Sequence, residues 1–112
     1  MKKVTPTNTE IFFEPHDMFF STTDRKGIMT SGNSVFERLS GYPTENLIGA
    51  PHNIIRHPDM PKIVFQVLWD TISAGKPICA YVKNMAATGN FYWVFATVFP
   101  IPGGYLSVRI KP

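Results

Sequence analysis

Ile78-Cys79-Ala80-Tyr81-Val82-Lys83-Asn84, then Phe91-Tyr92-Trp93-Val94-Phe95-Ala96-Thr97-Val98-Phe99, then Tyr105-Leu106-Ser107-Val108-Arg109-Ile110, decide the fold. Each run is rich in β-branched and aromatic residues, and turn residues separate them. Thr88-Gly89-Asn90 marks a turn inside Met85 to Asn90, and Pro100-Ile101-Pro102-Gly103-Gly104 predicts a tight one. The last third is therefore a three-stranded meander. Side chains alternate along a strand, so Ile78, Ala80, Val82 and Asn84 share a face. Phe91, Trp93, Phe95 and Phe99 form an aromatic face, and Tyr92, Val94, Ala96 and Val98 a smaller one. The smaller face suits a ligand cavity. The aromatic face suits the outer side of the sheet, where exposed rings would mark an interface.

Upstream, the period changes. Asp59 or Met60 is expected to open a helix running through Ala74, ended by Gly75, with Pro77 preventing a restart. Ile63, Val64, Phe65, Val67, Leu68, Trp69 and Ile72 leave it little polar face, so cover on two sides is expected: the sheet on one, and a cap, partner or ligand on the other. Asn33 is expected to cap a short helix that Gly41 ends, and Thr44 to cap a helical turn ending at Leu47. Pro51 to Pro61 reads as irregular. Met18 to Thr23 and Ile28 to Ser31 read as a hairpin across Asp24-Arg25-Lys26-Gly27. Residues 1–17 are read as an N-terminal cap whose aromatics pack on the domain formed by 18–112. The expected fold is α+β: a five-stranded antiparallel sheet with short helices and one longer helix over one face.

Composition narrows the function. The chain has 112 residues, one domain's worth, with 44% hydrophobic and 17% charged residues, which excludes intrinsic disorder. No apolar run is long enough for a membrane span, and the basic start lacks the apolar core of a secretory signal. A single cysteine, Cys79, fits a reducing compartment. Three histidines and one cysteine are thin for a structural metal site. The net charge is +3, but the eleven Lys and Arg are scattered, so a mildly basic surface is expected rather than a nucleic-acid site. No nucleophile, base and orienting group form a set, so no enzyme is expected.

Four blocks of the chain resemble the PAS sensor domains, and within them the N-terminal flavin-binding PAS domain of bacterial aerotaxis transducers. The blocks are Phe20-Ser21-Thr22-Thr23-Asp24; Leu39-Ser40-Gly41-Tyr42-Pro43; Pro51-His52-Asn53-Ile54-Ile55-Arg56-His57-Pro58-Asp59-Met60-Pro61; and Val82-Lys83-Asn84 with Tyr92-Trp93-Val94 and Tyr105-Leu106-Ser107-Val108-Arg109. Together they span about Met18 to Ile110. The chain departs from that family at Met85-Ala86-Ala87-Thr88, usually basic, at the shorter Pro102-Gly103-Gly104 connection, and at Ile78, where a larger aromatic is frequent.

The resemblance implies non-covalent FAD whose redox state reports oxygen or respiratory status in chemotaxis or aerotaxis. It carries the flavin-associated positions onto Arg56, His57, Asp59 and Asn84. By physics alone Asp59 could simply cap the long helix, and Asn84 could be a turn residue bonding backbone. Against that, Arg56 suits bidentate phosphate contact, and a buried amide at Asn84 needs a partner that a flavin edge offers. Trp69 reads as core by default. On a helix whose second side can meet a ligand, it remains a cofactor-binding candidate. By analogy with related flavin-binding PAS domains Arg109 looks into the cavity; otherwise it reaches solvent at a strand end.

The light-sensing flavin subfamily carries a reactive cysteine before the long helix. None stands there here, so no photochemical adduct is expected. Two alternatives stay open: a haem-binding gas sensor with His52 or His57 as axial ligand, and a cofactor-free dimerisation module. Expected partners are a second copy or a neighbouring signalling domain at the outer sheet face, with no nucleic acid and no membrane contact by this segment. Its place is cytoplasmic, whether free or within a membrane-anchored receptor, and an output module is expected outside this sequence.

Overall fold

A computed structural model describes residues 4–112. Met1, Lys2 and Lys3 of the expected N-terminal cap lie outside the described residues. Two strands come first, β1 (Phe19–Asp24) and β2 (Met29–Gly32), then helices α1 (Ser34–Ser40) and α2 (Thr44–Leu47). A single 3-10 turn (His52–Ile55) leads to α3 (Lys62–Ser73), and the chain closes with β3 (Ile78–Met85), β4 (Phe91–Ile101) and β5 (Gly104–Ile110). The five strands form one sheet in the order β2-β1-β5-β4-β3, every pairing antiparallel. The α+β class and five-stranded sheet expected from the sequence are what the chain adopts.

Local chemistry explains most boundaries. The Asn33 carboxamide accepts the Phe36 N–H at 3.2 Å, which starts α1. Gly41, at φ 72°, ends it by donating its N–H to the Glu37 carbonyl. The longer helix starts later than expected, at Lys62, with Pro61 in the capping position and no side-chain cap. A residue before proline is pushed out of the helical region, so Met60 cannot enter the helix. Asp59 is therefore not the cap. Thr44 is not a cap either. Pro43 holds that position in extended backbone, and the Thr44 hydroxyl bonds the Glu37 carboxylate. The last turn is tighter than expected. Pro100 and Ile101 belong to β4, pairing with Tyr105 and Gly104. Pro100 fits there because β4 outruns β3, whose final pair is Ile78 with Val98.

The inner face carries the core. Phe19, Phe36 and Tyr92 are fully buried, and Phe19 stacks on Phe36 with ring centroids 5.9 Å apart. Each buried ring of this kind contributes roughly 1.5–3 kcal/mol. The segment before β1 joins this cluster. Phe13 sets its edge against Phe19 and Tyr92, while Phe12 is 85% exposed. The Ile11 N–H donates to Phe91, and the Phe91 N–H to Thr9. At Gly89 a Cβ would stand 2.1 Å from the Thr5 carbonyl oxygen, so only glycine admits that segment so closely.

α3 departs from the two-sided cover expected of it. Phe65, Leu68, Trp69 and Ile72 turn toward the sheet, but Ile63 and Val67 are 65% and 50% exposed. Nor does its inner side press onto the strands. Opposite it stand Val82, Val94, Ala96, Val98 and Ser107, too small to reach, so a cavity remains between helix and sheet.

Candidate functional site

The cavity has a volume of about 230 Å³. Val82, Val94, Ala96 and Val98 form its floor, and Phe65, Leu68, Trp69 and Ile72 its roof. Polar side chains gather at the other walls: Ser21 from β1, His52 from the 3-10 turn, Arg56 just beyond it, Asn84 from β3, and Ser107 and Arg109 from β5.

Arg109 is 1% exposed. Strand alternation sends it inward, opposite Phe19 on β1 and Ala96 on β4. Its Nη2 donates to the Ser21 hydroxyl at 2.5 Å, and its Nη1 to Nε2 of His52 at 3.1 Å. The guanidinium carbon lies 4.4 Å and 4.9 Å from the ring centroids of Phe36 and Phe19. Its Nε has no hydrogen-bond partner, and among the described residues no carboxylate pairs with it. Burial pushes its pKa down to about 10, an effect that neighbouring Tyr92 opposes, so the cation persists at neutral pH. An unneutralised buried charge is costly unless something completes its surroundings.

His52 is half-buried at the cavity wall. Burial, reinforced by the Arg109 charge, lowers its pKa to about 3. It is neutral, and accepting from Arg109 at Nε2 leaves its proton on Nδ1. Asn84 is 3% exposed and sits opposite Tyr92 in the β3–β4 register. The Tyr92 hydroxyl is buried without a hydrogen bond of normal geometry, although the Asn84 amide stands beside it. Burial raises its pKa, and the Arg109 charge and Asn84 partly offset that.

The sequence candidates divide in two. Arg56, Trp69, Asn84 and Arg109 line the cavity. Arg56 also lays its guanidinium 5.0 Å from the Phe65 ring centroid, bridging to α3. Its backbone forms a bridge with Asn84. His57 and Asp59 do not line the cavity. Nδ1 of His57 accepts the Asp59 N–H at 3.0 Å, its ring meets the edge of Phe91, and its Nε2 is unpartnered. Burial, then the Lys83 charge, lowers its pKa. The Asp59 carboxylate takes a hydrogen bond from Lys83 Nζ at 3.1 Å, which holds it below the usual carboxylate range. This pair ties the segment carrying Arg56 to the outer side of β3.

Ser21 and Tyr105 line the cavity without having been singled out from the sequence, and His52 was considered only as a haem ligand. Extending the alternation Phe19, Ser21, Thr23 inward finds Ser21; nothing local in sequence reveals that Arg109 and His52 meet. Trp69 stands edge-on to Tyr105 with centroids 5.7 Å apart, both at the cavity wall. Cys79 is exposed on β3, on the opposite side from Ala80 and Val82. Among the described residues no group of three or more His, Cys, Asp or Glu could hold a metal. None of their helices is long and apolar enough to cross a membrane.

Known proteins share this plan. The PAS fold family matches residues 29–107. The aerotaxis receptor of Escherichia coli K12 is 42% identical over 96 residues, which cover 81% of this chain and 19% of the receptor. The nitrogen fixation regulatory protein of Klebsiella pneumoniae is 26% identical over 109 residues, 93% of this chain and 22% of that protein. The chain thus spans about a fifth of the length of these relatives. A solved light-oxygen-voltage domain, probed with a flavin analogue, superimposes with a TM-score of 0.77 at 16% identity, over 85% of this chain and 77% of that one. At that identity it shares the fold alone.

Proposed function

This chain belongs to the PAS fold family, and on that premise we propose that it is a sensory input domain holding FAD non-covalently and reporting redox or oxygen status in chemotaxis or aerotaxis signalling. One observation carries the reading: a buried, unneutralised Arg109 closes the polar end of an otherwise apolar cavity. Such an end wants a ligand edge that accepts hydrogen bonds and takes on negative charge. A flavin ring fits it, having flat apolar faces and an edge of carbonyls and ring nitrogens. At about 230 Å³ the cavity is smaller than the usual ~300–1,000 Å³ ligand site, so it takes the ring portion of a dinucleotide and leaves the rest outside.

The bound flavin would supply reversible electron transfer. Arg109 favours its more negative forms, and neutral His52 keeps the guanidinium aimed without competing for charge. The Asn84 amide both donates and accepts, so it can answer a change at the ring edge by rotating. Arg56, at the wall beside α3, is the cation for the phosphates, with His57 and Asp59 holding its segment in place. The second reading, haem, finds less support: His52 Nε2 is occupied by a cation and His57 lies outside the cavity.

The response would leave through the sheet. Trp93 and Phe99 are 40% and 38% exposed on its outer face, beside Phe95 and Tyr81. That face is proposed to meet a second copy or a neighbouring signalling domain, in the cytoplasm. No catalytic role is assigned. Absorption after reconstitution with FAD and gel filtration tests the reading. A flavin spectrum that travels with the protein supports it; a haem Soret band, or no chromophore, overturns it.

A further inference from the structure

Trp69 and Tyr105 meet across the cavity wall, Trp69 from α3 and Tyr105 from β5, with centroids 5.7 Å apart at 65°. Trp69 is 38% exposed, so its indole touches both cavity and solvent. It also packs over Gly27, where a Cβ would stand 3.7 Å from its ring. Indole and phenol are the aromatic side chains most easily oxidised by one electron, whereas Phe65, the other ring on the roof, is inert to such oxidation. Cys79 cannot serve the cavity, because it lies exposed on the outer side of β3. Arg109 stands four residues from Tyr105 on the same strand, about 13 Å away. An electron leaving Trp69 therefore moves toward the fixed positive charge.

We propose that Trp69, backed by Tyr105, is a built-in electron donor through which blue light reduces a flavin in this cavity by one electron, with no cysteine adduct. This rests on the flavin reading of the cavity. Trp69, at the cavity wall, would give one electron to the photoexcited flavin and be left as a radical cation. Its N–H proton leaves to solvent from the exposed edge, or Tyr105 refills the hole and releases its phenolic proton instead. A soluble thiol then returns one electron and one proton to the oxidised side chain. Two thiyl radicals so formed combine to a disulfide, which closes the balance over two photochemical turnovers. Arg109 opposes the return of the electron by favouring the negative charge at its end of the cavity.

The test uses FAD-reconstituted protein, compared per bound flavin, by time-resolved emission and by anaerobic photoreduction under blue light with a thiol. Trp69→Phe keeps an apolar ring without a donor, and Trp69→Tyr restores a weaker donor. Emission lifetime is expected to rise several-fold in Trp69→Phe and less in Trp69→Tyr, with photoreduction slowing in the same order. Tyr105→Phe is expected to slow photoreduction while leaving the initial quenching in place. Equal lifetimes and rates across wild type and both Trp69 variants, at measured flavin loading, overturn the donor role alone. A wild type that takes up no flavin overturns the reading of the cavity and the donor role with it.

Discussion

Nη1 of Arg109 lies 3.1 Å from Nε2 of His52, although the two residues are 57 positions apart in the chain. This bond requires a neutral imidazole with a bare Nε2, and it aims a buried guanidinium along the cavity wall. A second, short bond to Ser21 fixes the other Nη. Such an arrangement makes little sense as stability alone, because a buried cation without a carboxylate carries a desolvation penalty.

That penalty gives the first prediction. Arg109→Met replaces the charge by an apolar chain of similar length. The protein without cofactor should hold its stability or gain about 1–4 kcal/mol, as measured by urea unfolding. A loss of several kcal/mol would make Arg109 structural.

The second concerns acid. Folding lowers the His52 pKa from 6.5 to about 3. Between those values the unfolded chain binds a proton that the folded one does not, so stability is full above about pH 6.5 and is lost as pH falls toward 3. One such group gives a slope of up to about 1.4 kcal/mol per pH unit. His52→Gln keeps an acceptor for Arg109 but cannot titrate, so its stability should fall less steeply in acid. His57 and the carboxylates of Asp17 and Asp59, all lowered, remain in both proteins and set the residual slope. Parallel denaturation curves across this range would remove His52 as the cause.

The expected flavin contact at Asn84 supplies the third. Asn84→Asp places a negative charge near the Arg109 end and removes two donors. The midpoint potential of bound flavin should fall, because reduction adds negative charge there. One hydrogen bond's difference is about 1 kcal/mol, roughly 20 mV for a two-electron couple, and a buried charge does more. Redox titration against wild type measures it. An unmoved potential at unchanged occupancy makes Asn84 a structural residue.

The outer face gives the fourth. Phe95 lies there against Tyr81, with centroids 5.0 Å apart. Phe95→Glu should weaken self-association in light scattering while flavin stays bound. A wild type that is monomeric at high concentration would remove the homodimer, leaving the interdomain contact to be tested separately.

Much of this was legible in the sequence, for a physical reason. β3 to β5 announce themselves through strict alternation, which sorted Val82, Asn84, Val94 and Ala96 onto the cavity side and Trp93 and Phe99 onto the outer side. Asn33 and Gly41 declared α1 by cap chemistry that acts within a few residues. Asp59 misled because a carboxylate before a helix reads as a cap, while Pro61 and the distant Lys83 decide otherwise. The contact of His52, Ser21 and Arg109 was hidden for the opposite reason: three segments meet there only through the sheet order, which places β1 beside β5. His57 looked equivalent to Arg56, yet adjacent residues in extended backbone face opposite ways, and only Arg56 reaches the cavity.

The most direct test is a flavin-binding titration of wild type and Arg109→Met, followed by fluorescence and calorimetry under the same conditions. One FAD should bind per wild-type chain, with markedly weaker binding by a folded Arg109→Met. No binding by wild type, or equal affinity in the two proteins, would contradict it.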